Sequence, residues 1–391
     1  MNFIVFSHLR WNFVFQRPQQ LMTRCAYTNR VIYWEEPILD ATVAFLEQRD
    51  LTSQLKVVVP HLPPGLIASE ARKIQESLLG EFMSEYLIKD VVLWYYTPLA
   101  LQFRGKLQAR AVIYDCMDEL SAFRGAPVGL RSAEAELFRT ADLVFTGGKS
   151  LYESKKTQHP FVHCFPSSID RDFFGTARQM RSDVEELVGI PRPRLGFCGV
   201  IDERMDLSLL AAVAAARSKW QFVMLGPVVK IAESELPRLP NIHYLGPKEY
   251  RLLPSYFAGW DVGLLPFARN DSTRFISPTK TPEYLAAGLP AVSTPIADVV
   301  DPYGNGGFVH IAETPEEFVT AIESAILSRD SGERLDRVDR FLRHMSWDST
   351  WERMGHLVRD VVCCNGGTEL SESAVTGGIE PRNEEPGCSI I

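Results

Sequence analysis

The sequence predicts an α/β protein made of two doubly wound, Rossmann-like domains that face each other across a cleft. Two observations carry this prediction. Short apolar, β-rich runs alternate with amphipathic helical patterns along the 391 residues, and the alternation starts again after a proline-rich interruption near residue 190. Apolar strands separated by helices are typical of parallel sheets covered on both faces, and a chain of this length exceeds one ordinary core.

The first half contains seven predicted strands and three predicted helices. The strands span residues 3–6, 31–33, 55–59, 91–95, 111–114, 143–146 and 162–165, and the helices span 17–25, 70–86 and 130–140. Because each strand is almost wholly apolar and each helix has one apolar face, the strands should form a central sheet with helices packed on both of its faces.

The second half repeats this pattern. Its predicted strands span residues 194–198, 221–225, 242–245, 262–265, 291–293 and 308–311, and its predicted helices span 207–216, 315–329, 333–344 and 350–363. These patterns predict an N-terminal domain over residues 1–168, a linker over 169–193, a C-terminal domain over 194–345 and a final helix over 346–365. Residues 366–391 are rich in Gly, Ser, Glu and Pro, which predicts a disordered tail.

Composition excludes several classes of protein. The seven cysteines are scattered and odd in number, which disfavours a disulfide framework or a structural zinc site. No apolar run approaches the length of a membrane span, and the N-terminus lacks the basic leader of a signal peptide. The formal net charge of −8 disfavours a nucleic-acid partner. Residues 147–150, GGKS, lack the first glycine of a P-loop, and no strand precedes a G-x-G-x-x-G run.

Residues 277–295, SPTKTPEYLAAGLPAVSTP, carry the strongest chemical signal. Two helix starts are open, one capped by Ser277 and one capped by Thr281, and Gly288 is a natural end. Both starts place Glu283 in or near the first turns. Free backbone N–H groups at a helix start suit a diphosphate, and a carboxylate nearby can accept hydrogen bonds from sugar hydroxyls. The alternative is a well-capped helix with a solvated Lys280.

The run P-x-K-x-x-E-Y-x-A-A-G-x-P-x-V resembles the donor-site segment of the GT-B glycosyltransferases of group 1, also called family 4. The resemblance extends over about residues 1–360. It includes EAELFRTADLVFTGGKS at 134–150, PSSIDRDFF at 166–174 and GFCGVIDERMDL at 196–207. The segments FSHLRWNFVFQRPQQLMTR and VIYDCMDELSAF resemble bacterial enzymes of cell-envelope polysaccharide synthesis, including transferases of the teichuronic-acid type.

The resemblance implies an acceptor-binding N-terminal domain, a donor-binding C-terminal domain, and a final helix that packs back on the N-terminal domain. Glu283 would bind the nucleotide ribose, and Arg204 and Lys280 would neutralise the donor diphosphate. The other implied donor-binding residues are Gly199, Leu245, Gly246 and Thr279. Aromatic and basic residues of the loop after the first strand are the candidates for acceptor binding: Arg10, Trp11 and Arg17.

Two departures from the family pattern leave the stereochemistry open. Phe275 occupies the position of the first of two paired glutamates, and Met117 stands where a histidine usually precedes Asp118. An inverting reaction needs a base on the face opposite the leaving group. The candidates are Asp118, Asp115 and His8, each at or beyond the end of a predicted strand, although the two aspartates could also cap a short helix.

The function implied is transfer of a sugar from a nucleotide diphosphate donor, UDP being favoured, to a glycan or lipid-linked acceptor in cell-surface polysaccharide synthesis. The alternatives are a nucleotide-sugar 2-epimerase of the same fold and a catalytically silent protein that binds a glycan or a partner. We expect no permanently bound cofactor and no metal site. The expected compartment is the cytoplasm, with peripheral contact at the inner membrane face left open.

Overall fold

The computed structural model describes residues 1–105 and 107–366. Two separate β-sheets, each covered by helices, form an α/β protein as the sequence predicts. Residues 367–391, which make up nearly all of the predicted tail, lie outside the described residues. The described chain ends in a helix at Gly366.

The N-terminal domain is built on a nine-stranded sheet in the order β3-β5-β2-β1-β6-β7-β8-β9, with β4 paired antiparallel to β5. The strands are β1 (Asn2–Ser7), β2 (Arg30–Glu35), β3 (Ile38–Leu39), β4 (Phe45–Asp50), β5 (Leu55–Leu62), β6 (Val91–Tyr95), β7 (Ala109–Cys116), β8 (Leu143–Thr146) and β9 (Val162–Cys164). The helices are α1 (Arg17–Cys25), α2 (Ala68–Glu85), α3 (Leu130–Thr140) and α4 (Lys149–Lys155). Alternate residues of β1 enter separate cores: Phe3 packs on one face of the sheet and Ile4 on the other.

The C-terminal domain has a six-stranded parallel sheet in the order β12-β11-β10-β13-β14-β15. The strands are β10 (Arg194–Cys198), β11 (Gln221–Leu225), β12 (Ile242–Gly246), β13 (Val262–Leu265), β14 (Ala291–Ser293) and β15 (Val309–Ile311). The helices are α5 (Arg171–Gly175), α6 (Glu185–Val188), α7 (Leu207–Ala216), α8 (Leu253–Ala258), α9 (Lys280–Ala286), α10 (Ala297–Val299), α11 (Pro315–Ser328) and α12 (Gly332–Leu342), and the chain then continues into α13 (Trp347–Gly366).

The segment predicted as a linker, residues 169–193, is packed rather than extended. Ile169, Phe174, Leu187 and Ile190 are buried in the core of the C-terminal domain. The prolines near residue 190 therefore lie in the short connection that leads from this folded segment into β10. Helix α13 follows the C-terminal domain in sequence but packs on the N-terminal domain. Its residues Trp347, Met354 and Val358 are buried in the N-terminal core.

The first strand of each domain fixes the position of the cleft. Strand β1 lies between β2 and β6, and β10 lies between β11 and β13, so the chain leaves each of these strands where the order of the sheet reverses. Ligands of doubly wound folds bind at the carboxyl ends of strands at this reversal. The loops that follow β1, β7, β10 and β11 are therefore expected to line the site.

Candidate functional site

The buried pair Lys280–Glu283 forms one wall of the cleft. The Lys280 ammonium lies 2.5 Å from a Glu283 carboxylate oxygen, and both side chains are nearly excluded from solvent. Burial raises the pKa of Glu283, against the attraction of Lys280. Burial opposes protonation of Lys280, but the Glu283 charge outweighs it and raises the pKa of Lys280. Because each group stabilises the charged form of the other, we assign an ion pair.

Helix α9 presents this pair, and it starts at neither of the two predicted caps. It begins at Lys280, with Thr279 as the N-cap residue, and no side chain bonds the cap. The Cys198 N–H donates to the Tyr284 hydroxyl at 2.8 Å, which fixes α9 against β10. Gly288 ends the segment with φ of +85°.

A cavity of about 320 Å³ lies beside Lys280 and is lined by both domains. From the C-terminal domain it receives Gly199, Gly226, Pro247 and Tyr250, and from the N-terminal domain it receives residues 11–15. Position 226 needs a glycine. Its φ is +140°, and an added Cβ would lie 1.8 Å from the Gly199 carbonyl oxygen. A narrow, mostly apolar slot of this kind suits a flat heterocycle.

Leu245 and Gly246 lie one layer behind the cavity that the sequence assigned to them. The Gly246 carbonyl accepts a hydrogen bond from the Gly226 N–H at 2.9 Å. Leu245 packs against the core of the C-terminal domain. The residues that line the cavity itself follow immediately and begin at Pro247.

A group of charged residues from both domains faces the deeper part of the cleft. The Arg204 guanidinium makes a bidentate pair with Asp202, with nitrogen–oxygen distances of 2.9 and 2.7 Å. Burial opposes protonation of Arg204, but Asp202 outweighs it and raises the pKa of Arg204. Burial raises the pKa of Asp118 to about 6, while Arg204, Arg17 and Lys230 act in the opposite sense. Asp118 of the N-terminal domain is therefore close enough to Arg204 of the C-terminal domain for the two charges to attract each other.

His8 lies in the same part of the cleft, after β1. Burial lowers the pKa of His8 to about 4, and the positive charge of Lys230 adds to this effect. The ring is therefore neutral at pH 7. Its Nδ1 atom is buried and has no hydrogen-bond partner within the described part of the chain. An unpaired nitrogen of this kind can interact with a ligand hydroxyl.

The structure corrects the predicted roles of Asp115 and Arg17. Both side chains are almost completely buried, and the Arg17 Nη2 atom lies 2.8 Å from Asp115. A second Arg17 nitrogen donates to the Phe165 carbonyl at 2.7 Å. Neither residue faces the cleft, so Asp115 cannot act as the base and Arg17 cannot bind an acceptor. Together they fasten α1 to the end of β7 and to the strand end after β9.

The other two predicted acceptor residues shape the loop after β1. The Arg10 guanidinium contacts Glu35 at 3.1 Å, and the Trp11 N–H donates to the same carboxylate at 2.7 Å. The Trp11 ring packs edge-on against Tyr33 and also lines the cavity. Arg10 holds the loop in place through Glu35, and of the two residues only Trp11 lines the cavity. Acceptor binding by either residue stays a prediction.

The residues that join the domains over the cavity were not predicted from the sequence. The Tyr250 ring packs against Phe15 of the N-terminal domain at a centroid distance of 4.6 Å, with the ring planes tilted by 34°, and its hydroxyl accepts a hydrogen bond from Gln20 at 2.9 Å. The rings of Phe173 and Tyr250 are stacked, at 5.2 Å. No motif marks these contacts, because the partners lie far apart in the chain.

The described ranges also bear on metal binding and on membrane insertion. Among residues 1–105 and 107–366, no group of three His, Cys, Asp or Glu side chains could hold a metal ion. Within those same residues, no helix combines the length and apolar character needed to cross a bilayer.

Two Rossmann-like domains, with a cavity between the carboxyl ends of their sheets, make up the GT-B fold. Residues 192–328 match the family model described as Glycosyl transferases group 1. The Bacillus subtilis (strain 168) protein TuaH, whose name assigns it to teichuronic acid biosynthesis as a glycosyltransferase, is 26% identical over 284 residues, which cover 67% of this chain and 70% of TuaH.

Solved structures agree in fold. Sucrose-phosphate synthase from Thermosynechococcus elongatus matches with a TM-score of 0.71 at 12% identity, covering 93% of this chain and 99% of that chain. The UDP-forming α,α-trehalose-phosphate synthase from Burkholderia xenovorans, in complex with glucose-6-phosphate, matches with a TM-score of 0.64 at 12% identity, covering 92% of this chain and 100% of that chain. Residues 192–328 therefore resemble the group 1 glycosyltransferases in sequence, and the chain as a whole has the GT-B fold.

Proposed function

We propose that this glycosyltransferase uses a nucleotide diphosphate sugar, with UDP as the favoured nucleotide, and transfers the sugar to a glycan or lipid-linked acceptor in cell-surface polysaccharide synthesis. The observation that carries the proposal is the buried Lys280–Glu283 pair beside a cavity of about 320 Å³. Burying an ion pair costs desolvation free energy, so such pairs are often functional. Here the carboxylate can bind hydroxyl groups and the ammonium can bind phosphate. The UDP-forming relative and the name of TuaH support the choice of donor and pathway.

In this proposal the nucleotide base occupies the slot between Gly226 and Tyr250, and Glu283 accepts hydrogen bonds from the ribose hydroxyls. Lys280 then lies close enough to exchange its contact with Glu283 for a phosphate oxygen. The diphosphate extends toward Arg204, whose guanidinium can bind two oxygens at once. The cations offset the negative charge that grows on the diphosphate as the glycosidic bond breaks.

Asp118 is the residue we assign as the base. A pKa of about 6 leaves its carboxylate ionised at pH 7 but still basic enough to take a proton from an acceptor hydroxyl. Its position on the N-terminal domain, opposite Arg204, places it on the side of the cleft expected for the acceptor. The neutral His8 ring would share a hydrogen bond between its unpaired Nδ1 and a substrate hydroxyl.

The acceptor would enter along the rim of the N-terminal domain. Phe13 is 45% exposed at the mouth of the cavity and offers an aromatic surface to a sugar ring. Leu39, Val43 and Phe45 are exposed at the edge of the same sheet. Apolar side chains in this position suit a lipid-linked acceptor reached at the inner face of the membrane.

The test of the donor site compares UDP with 2′-deoxy-UDP by isothermal titration calorimetry, using wild type and Glu283→Gln. Wild type should prefer UDP by about tenfold, because a hydrogen bond to a charged group is lost with the 2′-hydroxyl. Glu283→Gln should bind UDP more weakly and lose most of the preference. Glu352→Gln, at an exposed position of α13, is the matched control and should behave as wild type.

Thermal melts of each variant report whether the fold is intact, since Glu283→Gln leaves Lys280 with a weaker partner. Inorganic pyrophosphate should still bind to Glu283→Gln, because only ribose contacts are removed. Absence of UDP, GDP and dTDP binding by wild type at millimolar concentration would refute the proposed function. An unchanged preference in Glu283→Gln would refute the role of Glu283 alone.

A further inference from the structure

Lys230 occupies an unusual backbone position in the cleft. The loops after β10 and β11 run side by side, and the Val229 N–H donates to the Ile201 carbonyl at 3.0 Å. At the end of this contact Lys230 has φ of +64°. This value lies in the left-handed region, which a residue with a Cβ seldom adopts. Because backbone conformations of this kind concentrate at functional sites, the conformation directs attention to the Lys230 side chain.

That side chain meets the opposite domain through Phe123, which follows β7. The Lys230 ammonium lies 4.8 Å from the centroid of the Phe123 ring, and the Arg204 guanidinium lies 5.4 Å from the same centroid. One aromatic ring therefore holds two cations. Next to it, the Arg124 N–H donates to Glu203 at 3.2 Å, which is a second contact across the cleft.

Lys230 is paired less tightly than the other cations of the cleft. Its ammonium lies 3.9 Å from the nearest Glu203 oxygen, whereas Arg204 lies 2.7 Å from Asp202 and Lys280 lies 2.5 Å from Glu283. The Lys230 side chain is 42% exposed. An ammonium has three donors, so most of its hydrogen-bonding capacity is open to a ligand.

The charge of Lys230 also acts on both candidate residues of the N-terminal domain. It adds to the lowering of the His8 pKa and opposes the rise of the Asp118 pKa. Lys230 therefore lies within electrostatic reach of the place where the acceptor and the sugar would meet. A cation there, beside Arg204, faces the region assigned to the diphosphate in the proposed function.

We propose that Lys230 is a third diphosphate-binding cation, next to Arg204 and in addition to Lys280, and that Phe123 positions Arg204 and Lys230 from the opposite domain. The inference rests on the proposed donor site. Arg204 would bind one phosphate group bidentately, and Lys230 would reach the other as a compact point charge. Because Phe123 belongs to the N-terminal domain, its contacts with both cations cross the cleft.

The experiment measures the binding of UDP, UMP and uridine to wild type and variants by isothermal titration calorimetry. Lys230→Asn removes the charge with a residue that tolerates the left-handed backbone, and Lys230→Arg keeps the charge. Lys230→Asn should weaken UDP about tenfold, UMP less, and uridine not at all. Lys230→Arg should stay within about threefold of wild type. Lys156→Asn, at an exposed lysine of the N-terminal domain, is the charge control and should bind all three ligands as wild type does.

Phe123→Ala tests the positioning role separately. It should weaken UDP binding by about threefold, with uridine unchanged, because both cations lose their aromatic contact. If wild type binds UDP and Lys230→Asn binds it equally well, this inference fails and the proposed function stands. If Lys230→Asn weakens uridine as much as UDP, Lys230 only supports the loop, and the inference also fails. If wild type binds no nucleotide, both proposals fail together.

Discussion

Replacing Asp118 by asparagine should make the protein more stable and inactive at the same time. Burial raises the pKa of this carboxyl from 3.8 to about 6. At about 1.4 kcal/mol for each pKa unit, the ionised form destabilises the folded protein by about 2–3 kcal/mol relative to a carboxyl of ordinary pKa. Asparagine has nearly the same shape and no charge, so Asp118→Asn should recover most of this free energy at pH 7.5.

The pH dependence gives the sign of the effect. Between about pH 4 and pH 6 the folded protein keeps a proton on Asp118 that the unfolded chain has released. Wild type therefore loses stability through this carboxyl as the pH rises over that interval, and the full penalty is present above it. The stability gain of Asp118→Asn should be about 2–3 kcal/mol at pH 7.5 and close to zero at pH 4.

Activity should change in the opposite direction. If Asp118 is the base, the wild-type transfer rate should fall about tenfold for each pH unit below about 6, because only the ionised carboxylate can take the proton. Asp118→Asn should lose at least about a hundredfold in kcat and show no inflection near pH 6. The assays are sugar transfer to an acceptor, measured as nucleotide release, and urea unfolding followed over a range of pH.

The control is Asp360→Asn, at an exposed position of α13, which should change neither stability nor rate. Two results would refute the reasoning. An Asp118→Asn enzyme that keeps more than a tenth of the wild-type kcat would exclude Asp118 as the base. A variant that is less stable than wild type at pH 7.5 would show that Asp118 is a structural carboxylate held by the nearby cations.

Two more predictions concern the cavity and its closure. Gly226→Ala would place a Cβ 1.8 Å from the Gly199 carbonyl oxygen, so it should abolish UDP binding and lower Tm by several degrees. The control is Gly80→Ala, in helix α2 with no atom within 4 Å of the new Cβ, which should slightly raise Tm. If Gly226→Ala binds UDP within about twofold of wild type, this account of the cavity is wrong. Gln20→Ala removes the donor to the Tyr250 hydroxyl and should raise the ratio of donor hydrolysis to transfer, which chromatography of the products can measure. An unchanged ratio would mean that this contact does not help to exclude water.

The sheets could be predicted well because parallel strands are buried on both faces and appear as continuous apolar runs. All seven predicted strands of the first half and all six of the second overlap observed strands. Strand β4 was missed because it lies at the edge of its sheet, and its sequence, FLEQRD, is mostly polar and exposed. Its pairing is decided by the backbone of β5, which a local pattern does not record.

The donor side of the site could be predicted because its residues are close together in the chain. Lys280 and Glu283 are three residues apart on one helix, which brings them into contact. Asp115 and Arg17 show where prediction from sequence stops. Asp115 stands near the end of β7 and Arg17 begins α1, so the two are 98 residues apart, and only the fold shows that they neutralise each other in the interior. No sequence pattern indicated a role for Lys230, because its left-handed conformation arises where the loops after β10 and β11 pair with each other.

The charges of the cleft suggest how the enzyme could select a diphosphate. Lys280 faces Glu283, Arg204 faces Asp202 and Lys230 lies near Glu203. The cations are thus kept charged and positioned in a partly buried cleft by carboxylates that can be exchanged. A nucleoside would gain nothing from these cations and would leave the carboxylates in place. A nucleotide diphosphate can compete for several cations together, so its binding should strengthen more than in proportion to each phosphate added. The prediction that follows is a larger step in affinity from UMP to UDP than from uridine to UMP.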